Sequence, residues 1–175
     1  MEYSPFFQMS LLHLEARPTT AITAIMELLH SSLSASGGDQ QVPPVSTSAI
    51  GFIMVRLFHN GTSNALDFRL IVCDIANVTN AHIHVGSVGT NGPRGPNIVV
   101  HFFDQSSNPV SKIHGCTLLA HGTRGPADLT VRPNAGINSW EDFVKALLSG
   151  NAYVNEHTIA NSSGEIRGQL VSQTE

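Results

Sequence analysis

The chain is 175 residues long, 41% of its residues are hydrophobic and only 13% are charged, and its formal net charge is -4 at pH 7. One domain of this length can bury a full core, and a charged fraction well under the roughly 25% of an average globular protein is typical of a loop-rich β protein. Because the charge is negative and no cluster of Lys or Arg occurs, we expect no nucleic-acid partner.

The first predicted feature in chain order is an N-terminal extension over residues 1–25, followed by one β domain over residues 26–175. Pro18 interrupts any helix in the extension, and Glu2 precedes its apolar residues. A secretory signal peptide has a basic start and an uninterrupted apolar run, which this segment lacks. We therefore predict a weakly structured segment or an atypical leader. No run of 18 or more apolar residues occurs, so no transmembrane helix is predicted.

Short segments bounded by Gly, Pro or Asn follow one another through the rest of the chain, which is typical of β-strands. Their regular spacing predicts an all-β fold, namely an antiparallel Greek-key sandwich or barrel of about eight strands. The predicted strands are residues 26–35, 51–58, 65–73, 81–85, 98–103, 118–120, 152–158 and 165–172.

One segment, residues 139–149, predicts a short helix instead. Ser139 is a suitable N-cap, and the acidic Glu141 and Asp142 lie in the first turn, where they complement the helix dipole. Gly150 supplies the C-terminal stop. We expect this helix to close one end or one side of the sheet core.

Alternation along three predicted strands places polar side chains on shared faces. Residues two apart lie on the same face of a strand, so Ile83 and Val154 point to the core while their polar neighbours point away from it. If the three strands are neighbours in the sheet, these polar residues converge. The predicted polar patch consists of His82, His84, Tyr153, Asn155, His157, Glu165, Arg167 and Gln169.

The histidines of the polar patch allow two interpretations. Two imidazoles at positions i and i+2 of a strand, here His82 and His84, can present nitrogens to one ion, and His157 would complete a copper or zinc site. Alternatively, the patch residues hydrogen-bond one another and fix loop ends, a structural role that uses the same residue types. An unpaired guanidinium beside the ion is repulsive, so Arg167 favours weak or absent metal binding unless Glu165 pairs with it. Any metal affinity should fall below about pH 6.5, because the imidazoles must be deprotonated.

Other features depend on the compartment in which the chain matures. Cys73 and Cys116 are too far apart in sequence for a CxxC motif, and we expect them to form one disulfide in an oxidising environment.

The triplets at Asn60, Asn77 and Asn161 have the sequence of N-glycosylation acceptors. Such triplets also arise by chance in a chain rich in Asn, Ser and Thr.

Four ordered stretches resemble the CHRD domain, the module named after chordin and also found in secreted bacterial and archaeal proteins. They are "LSASGGDQQVPPVSTSAIG", "AHIHVGSVGTNGP", "LLSGNAYVNEHT" and "GEIRGQL", and the resemblance covers roughly residues 28–172. It implies an all-β domain in a secreted or cell-surface protein. It also implies that the strand with His82 and His84 pairs with the later strand of His157. No growth-factor partner is carried over, because the cysteine-rich modules that accompany the domain in chordin are not found here.

The HxH strand also looks like the copper-ligand strand of copper-zinc superoxide dismutases, although their zinc loop and histidine-aspartate ligand set are not visible. Two classes of function therefore stand. The first, favoured by the CHRD resemblance, is a binding or structural module whose partner is a protein or other extracellular ligand. The alternative is a copper- or zinc-binding protein with dismutase-like chemistry. No sequence pattern of a serine hydrolase was found.

Overall fold

The computed structural model describes residues 27–90, 97–105 and 108–171, with side chains from residue 31 onward. The predicted extension therefore lies outside the described residues. The described residues contain one α-helix, α1 (Trp140–Leu148), three 3-10 turns and eight strands. The strands are β1 (Glu27–Gly37), β2 (Ile50–His59), β3 (Asn64–Cys73), β4 (Val78–Val85), β5 (Ile98–Asp104), β6 (Cys116–Arg124), β7 (Ala152–Thr158) and β8 (Ile166–Leu170).

All eight strands belong to one antiparallel sheet in the order β5-β4-β7-β8-β1-β2-β3-β6. The sheet curls until its two edge strands approach each other. At this seam the guanidinium of Arg124 donates hydrogen bonds to the carbonyls of His101 and Phe102, and the rings of Phe68 and Phe102 stack at 4.0 Å. Around the nearly closed barrel, β7, β4, β5 and β6 follow a Greek-key order. The predicted all-β Greek-key fold with eight strands is thus confirmed.

The core fills the inside of the barrel because alternate residues of each strand point inward. Along β2, for example, Ile53, Val55 and Leu57 are fully buried, whereas Phe52 and Met54 are partly exposed on the outer face. Helix α1 contributes its own apolar side to this core. Its first turn is held by a capping box, in which the Ser139 hydroxyl accepts from the Asp142 amide at 3.2 Å.

The observed strand bounds match the prediction for β7 and differ by one or more residues for the other seven strands; β4, for example, begins at Val78 rather than at residue 81. Strand β6 runs over nine residues where three were predicted, and β1 extends to Gly37 rather than to residue 35. Cys73 and Cys116 lie opposite each other in the β3–β6 ladder and are joined by a disulfide. Among the described residues, no helix is both long and apolar enough to cross a membrane.

Candidate metal centre

The central strands β4, β7 and β8 lie side by side and carry the polar patch on the face opposite the core. The β4–β7 and β7–β8 registers align the patch residues in two rows across the sheet. Val154 and Ile166, which alternate with them, lie in the core. The first row is His82, Asn155 and Arg167, and the second is His84, Tyr153 and Gln169.

The third histidine joins the first two from the neighbouring strand. His157 lies two residues after Asn155 on the same face of β7, and it pairs with Asn80 of β4. The ring centroids of His82 and His157 are 4.5 Å apart, and those of His82 and His84 are 4.6 Å apart. One nitrogen from each ring lies within 4.8 Å of the other two. The structure therefore brings together the three histidines that the sequence analysis proposed as ligands.

Several ring nitrogens of this cluster are buried without a hydrogen-bond partner. They are Nδ1 of His82, both nitrogens of His84, and Nε2 of His157. The other nitrogen of His157, Nδ1, lies 3.0 Å from the carbonyl oxygen of Ser162. A carbonyl only accepts, so Nδ1 of His157 carries the proton and Nε2 presents a lone pair to the cluster. A hydrogen bond of this kind is the usual device that orients a metal-binding imidazole.

Burial keeps the three rings in the neutral form that binds metals. It lowers the pKa of His82 to about 2, with a further contribution from the nearby His84 and His157. It lowers the pKa of His84 to about 3, where His157 and Arg167 add electrostatic repulsion. Burial also lowers the pKa of His157, although the hydrogen bond to Ser162 opposes the shift. All three imidazoles are therefore neutral at pH 7, with one ring nitrogen of each free of a proton.

An open pocket of about 540 Å³ lies directly over the cluster. Its floor contains the three histidines, and its walls come from the loop of residues 41–45 and the loop of residues 160–164. The first loop is tied to the sheet where the Gln41 amide donates to Asn155 Oδ1 of β7 at 2.6 Å. Gly164 has a φ of +119°, and a Cβ there would lie 2.3 Å from Asn155 Oδ1, so only glycine fits this contact.

Glu165 lies beside the cluster and organises the second of these loops. Its Oε2 accepts hydrogen bonds from Thr158 Oγ1 at 2.7 Å and Asn161 Nδ2 at 3.0 Å, while Oε1 accepts from Thr47 Oγ1 at 2.7 Å. These bonds hold the turn that presents the Ser162 carbonyl to His157. Among the described residues, Glu165 makes no ion pair with Arg167.

Replacing Glu165 with Gln is expected to cost about 1–3 kcal/mol of unfolding free energy at pH 7, because an amide cannot accept all three bonds. Burial raises the pKa of Glu165, but the bonds from Thr158, Thr47 and Asn161 outweigh it and hold the pKa below its ordinary value of 4.5. The carboxylate thus stabilises the fold above that pH, and the gain is lost on further acidification. Urea unfolding of both proteins should show a difference at pH 7 that shrinks at pH 3. A difference independent of pH would contradict this role.

Arg167 is buried beside the cluster with only 2% of its surface exposed. Its guanidinium donates to the carbonyls of Thr90 at 2.8 Å and Ser87 at 3.1 Å, and to Gln169 Oε1 at 3.1 Å. Its central carbon lies 3.6 Å from the centroid of the Tyr153 ring, a cation–π contact. Arg167 thus ties the loop after β4 to the sheet.

Two neighbours of the site were missed by sequence reasoning. Ser162 orients His157 through its carbonyl, which no side-chain pattern reveals. Glu156 is fully buried on the core face of β7, where Ser36 donates to its Oε1 at 3.2 Å, and burial raises its pKa to about 8. The alternation of side chains along β7 predicts the inward position of Glu156, because Asn155 and His157 point outward.

Another histidine, His101 of β5, lies at the exposed rim, with its ring 5.4 Å from that of His82.

Fold and site together define the class of protein: an antiparallel β-barrel with a buried histidine cluster on the outer face of its sheet. The sequence profile of the CHRD domain matches residues 33–170, which is more than half of the chain, and the protein belongs to the CHRD domain family. No curated protein and no solved structure matches the chain significantly. Within the described residues, only the histidine cluster favours the dismutase-like alternative.

Proposed function

We propose that this CHRD domain binds one divalent transition-metal ion, copper or zinc, through His82, His84 and His157. Two observations carry the proposal: one nitrogen of each ring lies within 4.8 Å of the other two, and each ring has a buried nitrogen without a hydrogen-bond partner. Each buried polar atom left without a hydrogen bond costs about 1–3 kcal/mol. A purely structural network would pair these nitrogens, whereas a shared metal ion satisfies one on each ring.

The donor set suits the proposed ions. Neutral imidazole is a ligand for both copper and zinc, and three histidines leave one coordination position for another group. The pocket above the cluster gives access to that position. A bound ion would supply Lewis acidity at this place. The role of the chain is to hold the three nitrogens, to fix the proton of His157 on Nδ1 and to shape the pocket.

Arg167 is compatible with this proposal even without a carboxylate partner. Its guanidinium is directed to the carbonyls of Ser87 and Thr90, whose partial negative charges offset part of its charge. Its charge still weakens cation binding, as the electrostatic effect of Arg167 on His84 indicates. We therefore expect moderate rather than very tight metal affinity.

We also propose that the protein acts outside the cytosol, as a secreted or cell-surface module. Two observations support this localisation: the Cys73–Cys116 disulfide, since such bonds persist in oxidising compartments, and membership of the CHRD family. A protein or other extracellular partner is part of this proposal.

Calorimetric titration of the full chain with Zn²⁺ and with Cu²⁺ tests the metal site. The wild type is expected to bind one ion per chain, and His84→Ala and His157→Ala should each weaken binding by about a hundredfold or more. His121→Ala is the matched control, because His121 is an exposed histidine of β6 outside the cluster. Equal affinities in all four proteins would refute the shared site. If the affinities were equal and the cluster variants unfolded at a lower temperature than the wild type, the histidines would stabilise the fold without binding metal.

A further inference from the structure

The pocket over the histidine cluster has two chemically different walls. One wall is apolar and comes from the loop that contains Val42, Pro43 and Val45. The wall from the loop of residues 160–164 is more polar and includes Asn161 and Ser162. Its volume of about 540 Å³ lies within the roughly 300–1,000 Å³ that is common for small-molecule sites. The pocket is therefore larger than a water molecule or a diatomic ligand requires.

The pocket is lined by uncharged side chains, and positive charges lie close to its histidines. The side chains that line it include no Asp, Glu, Lys or Arg. An ion held by three neutral imidazoles keeps its full double positive charge, and the guanidinium groups of Arg167 and Arg132 act electrostatically on His84. Three acids lie near the pocket but outside its lining: Glu165 accepts hydrogen bonds from Thr47, Thr158 and Asn161, Asp104 accepts one from Asn80, and Glu156 lies on the opposite face of β7.

We propose that the metal-loaded pocket takes a small organic carboxylate with an apolar body. The inference rests on the proposed metal site and names the ligand class of that site. A carboxylate oxygen is a good ligand for zinc and copper and would occupy the position that the three histidines leave free. Its negative charge would offset the buried positive charge, which is costly to leave uncompensated. The apolar body would pack against the wall of Val42, Pro43 and Val45.

Neutral ligands and simple anions each satisfy only half of the site. A neutral ligand of the same shape would contact the apolar wall but would leave the charge of the ion uncompensated. A small anion such as acetate would supply the charge but would leave most of the apolar wall in contact with water. The two contributions are therefore separable by choice of probe.

The experiment uses the full chain loaded with Co²⁺, whose visible absorption bands report changes in coordination. Benzoate is expected to change these bands saturably and to bind about tenfold more tightly than acetate, because its ring buries apolar surface. Benzyl alcohol, which is neutral, should leave the bands unchanged. Val45→Thr should reduce the preference for benzoate over acetate severalfold while retaining acetate binding. Val131→Thr is the matched control, because Val131 is exposed and lies outside the pocket.

The possible results distinguish a failure of the carboxylate proposal from a failure of the metal site. If no Co²⁺ bands appear, the metal proposal fails and the carboxylate proposal fails with it. If the bands appear but benzoate leaves them unchanged, the metal site stands and the carboxylate proposal is wrong. Equal affinity for benzoate and acetate, or equal effects of the two valine variants, would overturn the role of the apolar wall.

Discussion

Zinc at about a thousand times its dissociation constant is expected to raise the unfolding free energy of the wild-type protein by about 4 kcal/mol. The reason is linkage: the three nitrogens meet only in the folded barrel, so the ion binds the folded state and not the unfolded chain. For a domain of this size the gain corresponds to an increase in melting temperature of roughly 8–16 °C. Differential scanning calorimetry with and without zinc measures it.

The cluster variants make this result specific. His84→Ala and His157→Ala should each remove most of the zinc-dependent increase, and the double variant should lose little more than either single one. Such non-additivity is expected when the residues share one ion. His121→Ala should keep the full increase. An increase that survives in the double variant would place the stabilising ion elsewhere on the protein.

The sequence was sufficient to predict the fold class and the face that carries the site. Alternation in β4 and β7 separates His82 and His84 from Ile83, and His157 from Val154, because residue spacing along a strand is local. The adjacency of these strands came from the CHRD resemblance and not from alternation. Strand order depends on pairing between distant segments, which no local pattern encodes.

The interior of the barrel at β1 shows where the local pattern misleads. Ser32, Ser34 and Ser36 point inward and are buried, while Leu33 is 52% exposed on the outer face. Hydrophobicity alone would place Leu33 inside. The inward serines are explained by their neighbours: Ser36 donates to the buried Glu156, and a Cβ at Gly168 would lie 2.8 Å from the hydroxyls of Ser34 and Ser36. This part of the core has no room for larger side chains.

The length of β6 was underpredicted because a bulge disturbs its alternation. The β3–β6 register shifts between Leu70 and Ile71, so Leu119 is skipped in the pairing. As a result Leu118 is exposed and Leu119 is half-buried, which interrupts the alternation of inward and outward side chains along β6. Bulges are common near functional sites and sheet edges, and β6 is the edge strand at the seam.

The burial of the polar patch also had no local signal. Polar residues on an outer face normally face water, but here the loops of residues 41–45 and 160–164 fold over them. The bond from Gln41 to Asn155 links residues 114 positions apart, and the contact of Arg167 with Ser87 spans 80. Such contacts appear only once the whole barrel has formed.

Replacing Arg167 with Met is expected to change stability and metal affinity in opposite directions. The variant keeps much of the aliphatic volume but loses the bonds to the Thr90 and Ser87 carbonyls and the contact with Tyr153, which should cost about 2–4 kcal/mol of unfolding free energy without metal. It also removes a positive charge that acts on His84. Zinc affinity should therefore rise, by on the order of tenfold. Urea unfolding of the metal-free protein and zinc titration measure the two effects.

Arg69→Met is the control for this pair of measurements, because Arg69 is exposed on β3, away from β4, β7 and β8. It should leave both the stability and the zinc affinity close to those of the wild type. A purely structural role for Arg167 predicts that both quantities fall together, since a loosened loop after β4 would also disturb His84. Opposite changes in one variant would instead show that the guanidinium supports the loop at the expense of cation binding.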